Sequence, residues 1–151
     1  MVSVGSRIHV KALPPEELLS QLRLAGLEVF RADADGVVLA ERVRHHLMEA
    51  DVGVRYHGSV LYFVARAQRS DFPYATPEDS LDKVRGALGA AAAERGFTEH
   101  QAASRVLTDP VNPVIVLDVW HEITYAKPAV SWDAALADLR WALKLERYVH
   151  S

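Results

Sequence analysis

The stretch that most restricts the fold is residues 114–125, where side chains alternate with a period of two. Ile115, Leu117, Val119, His121, Ile123 and Tyr125 fall on one face, and Val114, Val116, Asp118, Trp120, Glu122 and Thr124 on the other. A helix would scatter these residues round its circumference, whereas a strand sorts them onto two faces. The preceding Asp109-Pro110-Val111-Asn112-Pro113 is a turn, and Lys127-Pro128 closes the strand. Residues 104–108, before the turn, supply a short partner strand. The first half of the long strand is apolar on both faces, which predicts a central strand covered on both sides.

The rest of the chain alternates hairpins with helices. Ile8, Val10 and Ala12 predict a short first strand, stopped by Pro14-Pro15. Glu16 and Glu17 suit the first turn of a helix, Leu18, Leu19 and Leu22 form its apolar stripe, and Gly26 ends it. Residues 28–31 and 37–40 form a hairpin around Asp33-Ala34-Asp35-Gly36, with Gly36 expected at positive φ. Residues 41–51 fit a helix through Val43, Leu47 and Ala50, or a strand through Leu39, Glu41 and Val43. Residues 52–56 and 60–67 pair as strands. Thr76-Pro77-Glu78-Asp79 opens a helix with an N-cap, a proline at N1 and two acids. Leu81, Val84, Leu88, Ala91 and Ala92 continue it to Gly96, and Gly86 and Gly89 predict close packing on a sheet. Ser131 caps a last helix with Trp132, Ala135, Leu136, Leu139, Ala142 and Leu143 as its core stripe. The expected fold class is α+β: a single domain over residues 1–151, with a mostly antiparallel sheet of hairpins and helices at 14–26, 77–95 and 131–148.

Composition narrows the function. A chain of 151 residues buries about two-thirds of its unfolded surface, enough for a core without staples. Seventeen basic residues against twenty acidic ones leave a net charge of -3, so nucleic acid is not an expected partner. The absence of cysteine excludes a disulfide scaffold, a thiolate zinc site and a cysteine nucleophile. No apolar run approaches the roughly 18 residues of a membrane span, and the N-terminus lacks a signal-peptide core. No membrane association and a cytoplasmic location are expected.

Seven histidines invite a search for chemistry. On a helix, His46 and Glu49 would share a face beside His45 and could offer two metal ligands, but no matching third ligand can be read. Asp118 and Glu122 flank Trp120 on one strand face, about 13 Å apart, too far to share a proton, while His121 points the other way. Phosphate-binding glycine loops and a Gly-x-Ser-x-Gly elbow are absent. No catalytic residue, cofactor or metal is therefore expected. The alternatives are a small enzyme or metal-dependent protein using His45, His46, Glu49 or His121, and an immunity-type inhibitor.

The last helix carries a second stripe, Trp141, Leu145 and Tyr148, at i, i+4 and i+7. An apolar circumference this wide needs a second surface to cover it, so these three residues are expected to bind a partner. A second copy is the simplest one. The element order points the same way. Residues 22–26, Leu27-Glu28-Val29-Phe30, the turn Asp33-Ala34-Asp35-Gly36 leading into Val37-Val38-Leu39, and the later helix 77–95, hairpin 104–125 and helix 131–148 follow one pattern. That pattern resembles the type III secretion chaperone-like fold and the bacterial sensory transduction regulator family. The resemblance implies a small acidic homodimer without catalytic residues, which holds an extended protein segment or modulates another protein as a chaperone, adaptor or regulator.

Overall fold

The computed structural model describes residues 14–57, 59–73 and 75–150, so the strand expected at 8–12 lies outside the described residues. The elements are α1 (Pro15–Leu24), β1 (Val29–Ala32), β2 (Gly36–Val43), β3 (His46–Arg55), β4 (Val60–Gln68), α2 (Pro77–Glu94), β5 (Thr98–Thr108), β6 (Val116–Pro128) and α3 (Trp132–Lys144). The six strands form an antiparallel sheet in the order β1-β2-β3-β4-β6-β5, so the fold class is α+β. The chain divides into two compact units, residues 1–63 with 126–145, and residues 64–125 with 146–151. Among the described residues, no helix is long and apolar enough to cross a membrane.

In the first unit, β2 and β3 pair from Gly36 opposite Arg55 to Val43 opposite His46, with a shift of register between Val38 and Ala40. Arg44 and His45 connect them, both at positive φ (52° and 71°), the backbone of a two-residue type I′ turn. This decides residues 41–51 in favour of strand, turn and strand. At the other end of β2, Asp33 Oδ1 accepts from the backbone N–H of Asp35 at 2.8 Å and of Gly36 at 3.2 Å. Gly36 is not at positive φ, which corrects the expectation from the Asp-Gly pair. Its glycine is needed for another reason: a Cβ there would lie 2.2 Å from Val54 O and 2.9 Å from Arg55 Cα. α3 packs on β3, with Leu139 and Ala142 buried and the Trp141 ring edge-on to Phe63 at 5.7 Å. Lys127 Nζ bonds Asp138 at 2.7 Å, which pairs an otherwise buried carboxylate.

In the second unit, α2 begins as its sequence dictates: Thr76 Oγ1 accepts from Asp79 N at 3.1 Å behind Pro77. Ser80, Val84, Leu88 and Ala92 form its buried stripe. A Cβ added at Gly86 would meet nothing within 4 Å, and one at Gly89 only Tyr125 Oη at 3.9 Å. Close packing therefore does not account for Gly86. β5 is eleven residues long, not five, and residues 98–107 are all exposed. β6 is covered only from Asp118 onward, while Val116 and Leu117 are exposed, so the apolar first half of this strand is not a buried centre. It is the outer end of a hairpin.

α3 stops at Lys144, short of the expected 148, because Leu145 turns extended (φ −68°, ψ 137°). In the second unit, Arg66 N then donates to Arg147 O at 2.9 Å and Val149 N to Arg66 O at 2.8 Å. The chain end exchanges helical hydrogen bonds for a parallel bridge to β4.

Candidate functional site

The histidine–carboxylate cluster at 45–51 does not assemble. His45 sits in the β2–β3 turn, and His46 and Glu49 lie three residues apart on β3, so they point to opposite faces. Glu49 faces Arg31 at 3.5 Å, an exposed contact. Among the described residues, no group of three or more histidines and carboxylates could hold a metal.

His121 is different. It lies on β6, is 2% exposed, and bonds at both ring nitrogens, Nε2 to Ser80 Oγ and Nδ1 to Ser104 Oγ, each at 2.7 Å. The Ser80 hydroxyl also donates to Pro77 O at 2.8 Å. With its one proton spent there, Ser80 Oγ accepts from Nε2–H, and Nδ1 accepts from the Ser104 hydroxyl. Burial holds the imidazole below its ordinary value, against the opposing charges of Asp118 and Glu78. The neutral ring thus staples the first turn of α2 to β5 and β6. A Ser104–His121 pair is half of a nucleophile's apparatus, but no carboxylate orients the ring. Asp118, which strand alternation alone leaves as a solvent-facing group, is buried instead. It accepts from Ser70 Oγ at 2.6 Å, Ser70 N at 3.0 Å and Val119 N at 2.8 Å. Burial pushes its carboxyl up, yet these hydrogen bonds and Arg69 outweigh it and hold the group below the carboxylate range. Glu122 pairs with Arg66.

The opposite strand face carries a shallow pocket of about 330 Å³ lined by Arg66, Ala103, Ser104, Arg105, Trp120 and Glu122. The Arg105 guanidinium lies over the Trp120 ring at 5.0 Å. Beyond it, the β5–β6 hairpin projects an apolar end. Val106, Leu107, Ile115, Val116 and Leu117 are 37–55% exposed, and Val111 and Val114 in the connection are 92% and 86% exposed. Asp109 shapes that connection, its Oδ1 accepting from Val111 N at 2.8 Å and Asn112 N at 3.0 Å.

Of the three residues expected to bind a partner, Trp141 and Leu145 are half-buried at the end of α3, and the Trp141 ring lies against Phe63. Tyr148 is beyond the helix, so the three do not form one helical stripe. Its hydroxyl bonds the Asp71 carboxylate; burial first, and then that bond and charge, raise its pKa to about 12. Sequence reasoning misses the hairpin end because apolar residues on both faces of a strand read equally as doubly covered or doubly exposed. The flanking turn Asp109-Pro110-Val111-Asn112-Pro113 is the available signal for exposure. No protein-family model, curated protein or solved structure matches this chain.

Proposed function

We propose that this chain is a non-enzymatic protein-binding module that works as a homodimer. The observation that carries the reading is the apolar end of the β5–β6 hairpin. Seven aliphatic residues are exposed there, on both faces of the ribbon and in its connection, and clustered exposed apolar side chains mark contacts with other chains. Each is more exposed than half-buried Trp141 and Leu145. The resemblance to chaperone-like families adds the kind of partner, an extended protein segment. His121, buried and neutral between two hydroxyls, supports a structural role over catalysis.

Two measurements test this. Light scattering is expected to give twice the 16.7 kDa chain mass, and a 17 kDa species at tens of micromolar would overturn the dimer. A permanently unfolded probe, reduced and carboxymethylated lactalbumin, is expected to bind the wild type. The double variant Val106→Asp, Leu117→Asp, with unchanged circular dichroism, is expected to bind it at least about tenfold more weakly, since charges would replace the apolar contact. Equal binding by both proteins would remove the hairpin end from the function.

A further inference from the structure

The two faces of the β5–β6 ribbon are used differently. On one, His121 is enclosed between Ser80 of α2 and Ser104. On the other, Trp120 is 37% exposed and Arg105 lies over its ring. The pocket of about 330 Å³ lies on this face, with Arg66, Arg105 and Glu122 as its charged lining.

These three charges are not equivalent. Glu122 is paired with Arg66. Every Asp and Glu of the chain is among the described residues, and none of them pairs with Arg105. The indole engages the charge of the Arg105 guanidinium, while the fork of N–H donors in the guanidinium plane has no acceptor among the described residues. The lining therefore carries one positive charge in excess, on a group whose geometry matches a carboxylate. A single carboxylate neutralises it. A doubly charged phosphate would leave a negative charge uncompensated beside Glu122.

The same face continues toward the hairpin end as an apolar track. Leu107 follows Arg105 by two residues on β5, and Val116 precedes Trp120 by four on β6, so alternation sets them on this face. They are 37% and 52% exposed. An extended segment laid along the ribbon has the same period of two, and two of its residues advance about 6.6 Å, the step from Arg105 to Leu107. A carboxylate seated on Arg105 then brings the side chain two positions away onto Leu107. A free small acid would leave that track uncovered.

We infer that the Arg105–Trp120 face binds an extended protein segment through an acidic side chain, with an aliphatic side chain two positions away on Leu107. The inference rests on the protein-binding reading above and names the chemistry of the segment.

The probe is the capped peptide acetyl-Gly-Ser-Leu-Ser-Glu-Ser-Leu-Ser-Gly-amide, which presents the same pattern in either chain direction and has one carboxylate. Calorimetric titration of the full chain is expected to show binding. Gln in place of the peptide's Glu, or Arg105→Gln with unchanged circular dichroism, is expected to weaken it about five- to tenfold, and the two changes together no further, because they remove one shared contact. The rearranged peptide acetyl-Gly-Ser-Ser-Leu-Glu-Leu-Ser-Ser-Gly-amide sends its acid and its leucines to opposite faces and is expected to bind at least about fivefold more weakly. Val106 and Leu117, whose substitution tests the protein-binding reading, lie on the other face of the ribbon by the same alternation. Lactalbumin binding without peptide binding, equal binding of the Glu and Gln peptides, or N-acetylglutamate binding as tightly as the peptide overturns this inference and leaves the protein-binding reading standing. A wild type that binds neither peptide nor lactalbumin overturns both.

Discussion

The β2–β3 and β5–β6 hairpins are both long antiparallel ribbons, and they are stabilised in opposite ways. β2–β3 is anchored at its base, where Val37, Leu39, Val52 and Val54 are almost fully buried. Its free end is short, turned by Arg44 and His45, and its exposed Val43, Leu47 and Met48 are interleaved with Arg42, His46 and Glu49. β5–β6 is anchored chiefly through β6, by Val119, His121, Ile123 and Tyr125, while β5 adds the Ser104–His121 bond and the Glu99–Arg85 pair. Its other strand is exposed along nearly its whole length, and its free end is aliphatic. Both carry aliphatic residues at their free ends. The difference shows that residue types alone do not set the burial of a ribbon, which depends on what else the chain brings to it.

The base of β2–β3 is the place where one substitution should do most damage. Gly36→Val puts a Cβ 2.2 Å from Val54 O, a backbone atom that cannot swing aside. The expected loss is about 3 kcal/mol, the upper range of overpacking in a well-packed site. Urea unfolding measures it. A loss below about 0.5 kcal/mol, the usual size of a surface substitution, would mean that β2 and β3 do not approach there as described.

The second test concerns the anchor of β5–β6. His121→Ala leaves the hydroxyls of Ser80 and Ser104 without their ring partner and opens a cavity, so a loss of about 2–3 kcal/mol is expected at pH 7.5. The pH dependence has a definite sign. Burial lowers the His121 pKa in the folded chain, so the unfolded chain takes up the proton first. Stability from the neutral ring is therefore present above about pH 6.5, the unfolded value, and is lost as the pH falls below it. The gap between wild type and His121→Ala is expected to narrow between pH 7.5 and pH 5.5. A gap that widens on acidification would mean that the imidazolium is the bonded form.

Much of the fold is legible in the sequence, and what is not has physical causes. Thr76-Pro77 and Ser131 mark their helix starts because capping is a local bond between neighbours. The end of α3 is not legible, since the bonds from Arg66 that draw residues 147–149 into a strand pairing come from far along the chain. Thr98-Glu99-His100-Gln101-Ala102-Ala103 has little strand propensity, and pairing with β6 decides its conformation. The turn at 33–36 marks Gly36 as a required glycine, but the requirement lies in the approach of β3. Strand alternation correctly points His121 away from Glu122. Its partners Ser80 and Ser104 lie 41 and 17 residues away, beyond any spacing argument.

α2 offers a smaller effect in the other direction. Gly86 is exposed in mid-helix with open space where a methyl group would sit. Gly86→Ala is expected to stabilise the chain by about 0.5–1 kcal/mol, the helix-propensity difference. A destabilised variant on thermal melting would reveal a contact at that face.

The finest contrast sets the free end of β5–β6 against the buried base of β2–β3, with one chemical change at two places. Val116→Thr replaces a methyl by a hydroxyl on a residue that is 52% exposed. Water satisfies the hydroxyl, threonine keeps the β-branched shape that suits a strand, and the change is expected within about 0.5 kcal/mol. Val52→Thr makes the same exchange at a residue that is 0% exposed in β3. There the hydroxyl loses water, and the expected cost is about 1–3 kcal/mol. Urea unfolding at a fixed, low protein concentration keeps any association from adding to either value. Two equal losses would mean that the end of β5–β6 is as buried as the base of β2–β3, and the contrast between the hairpins would fall.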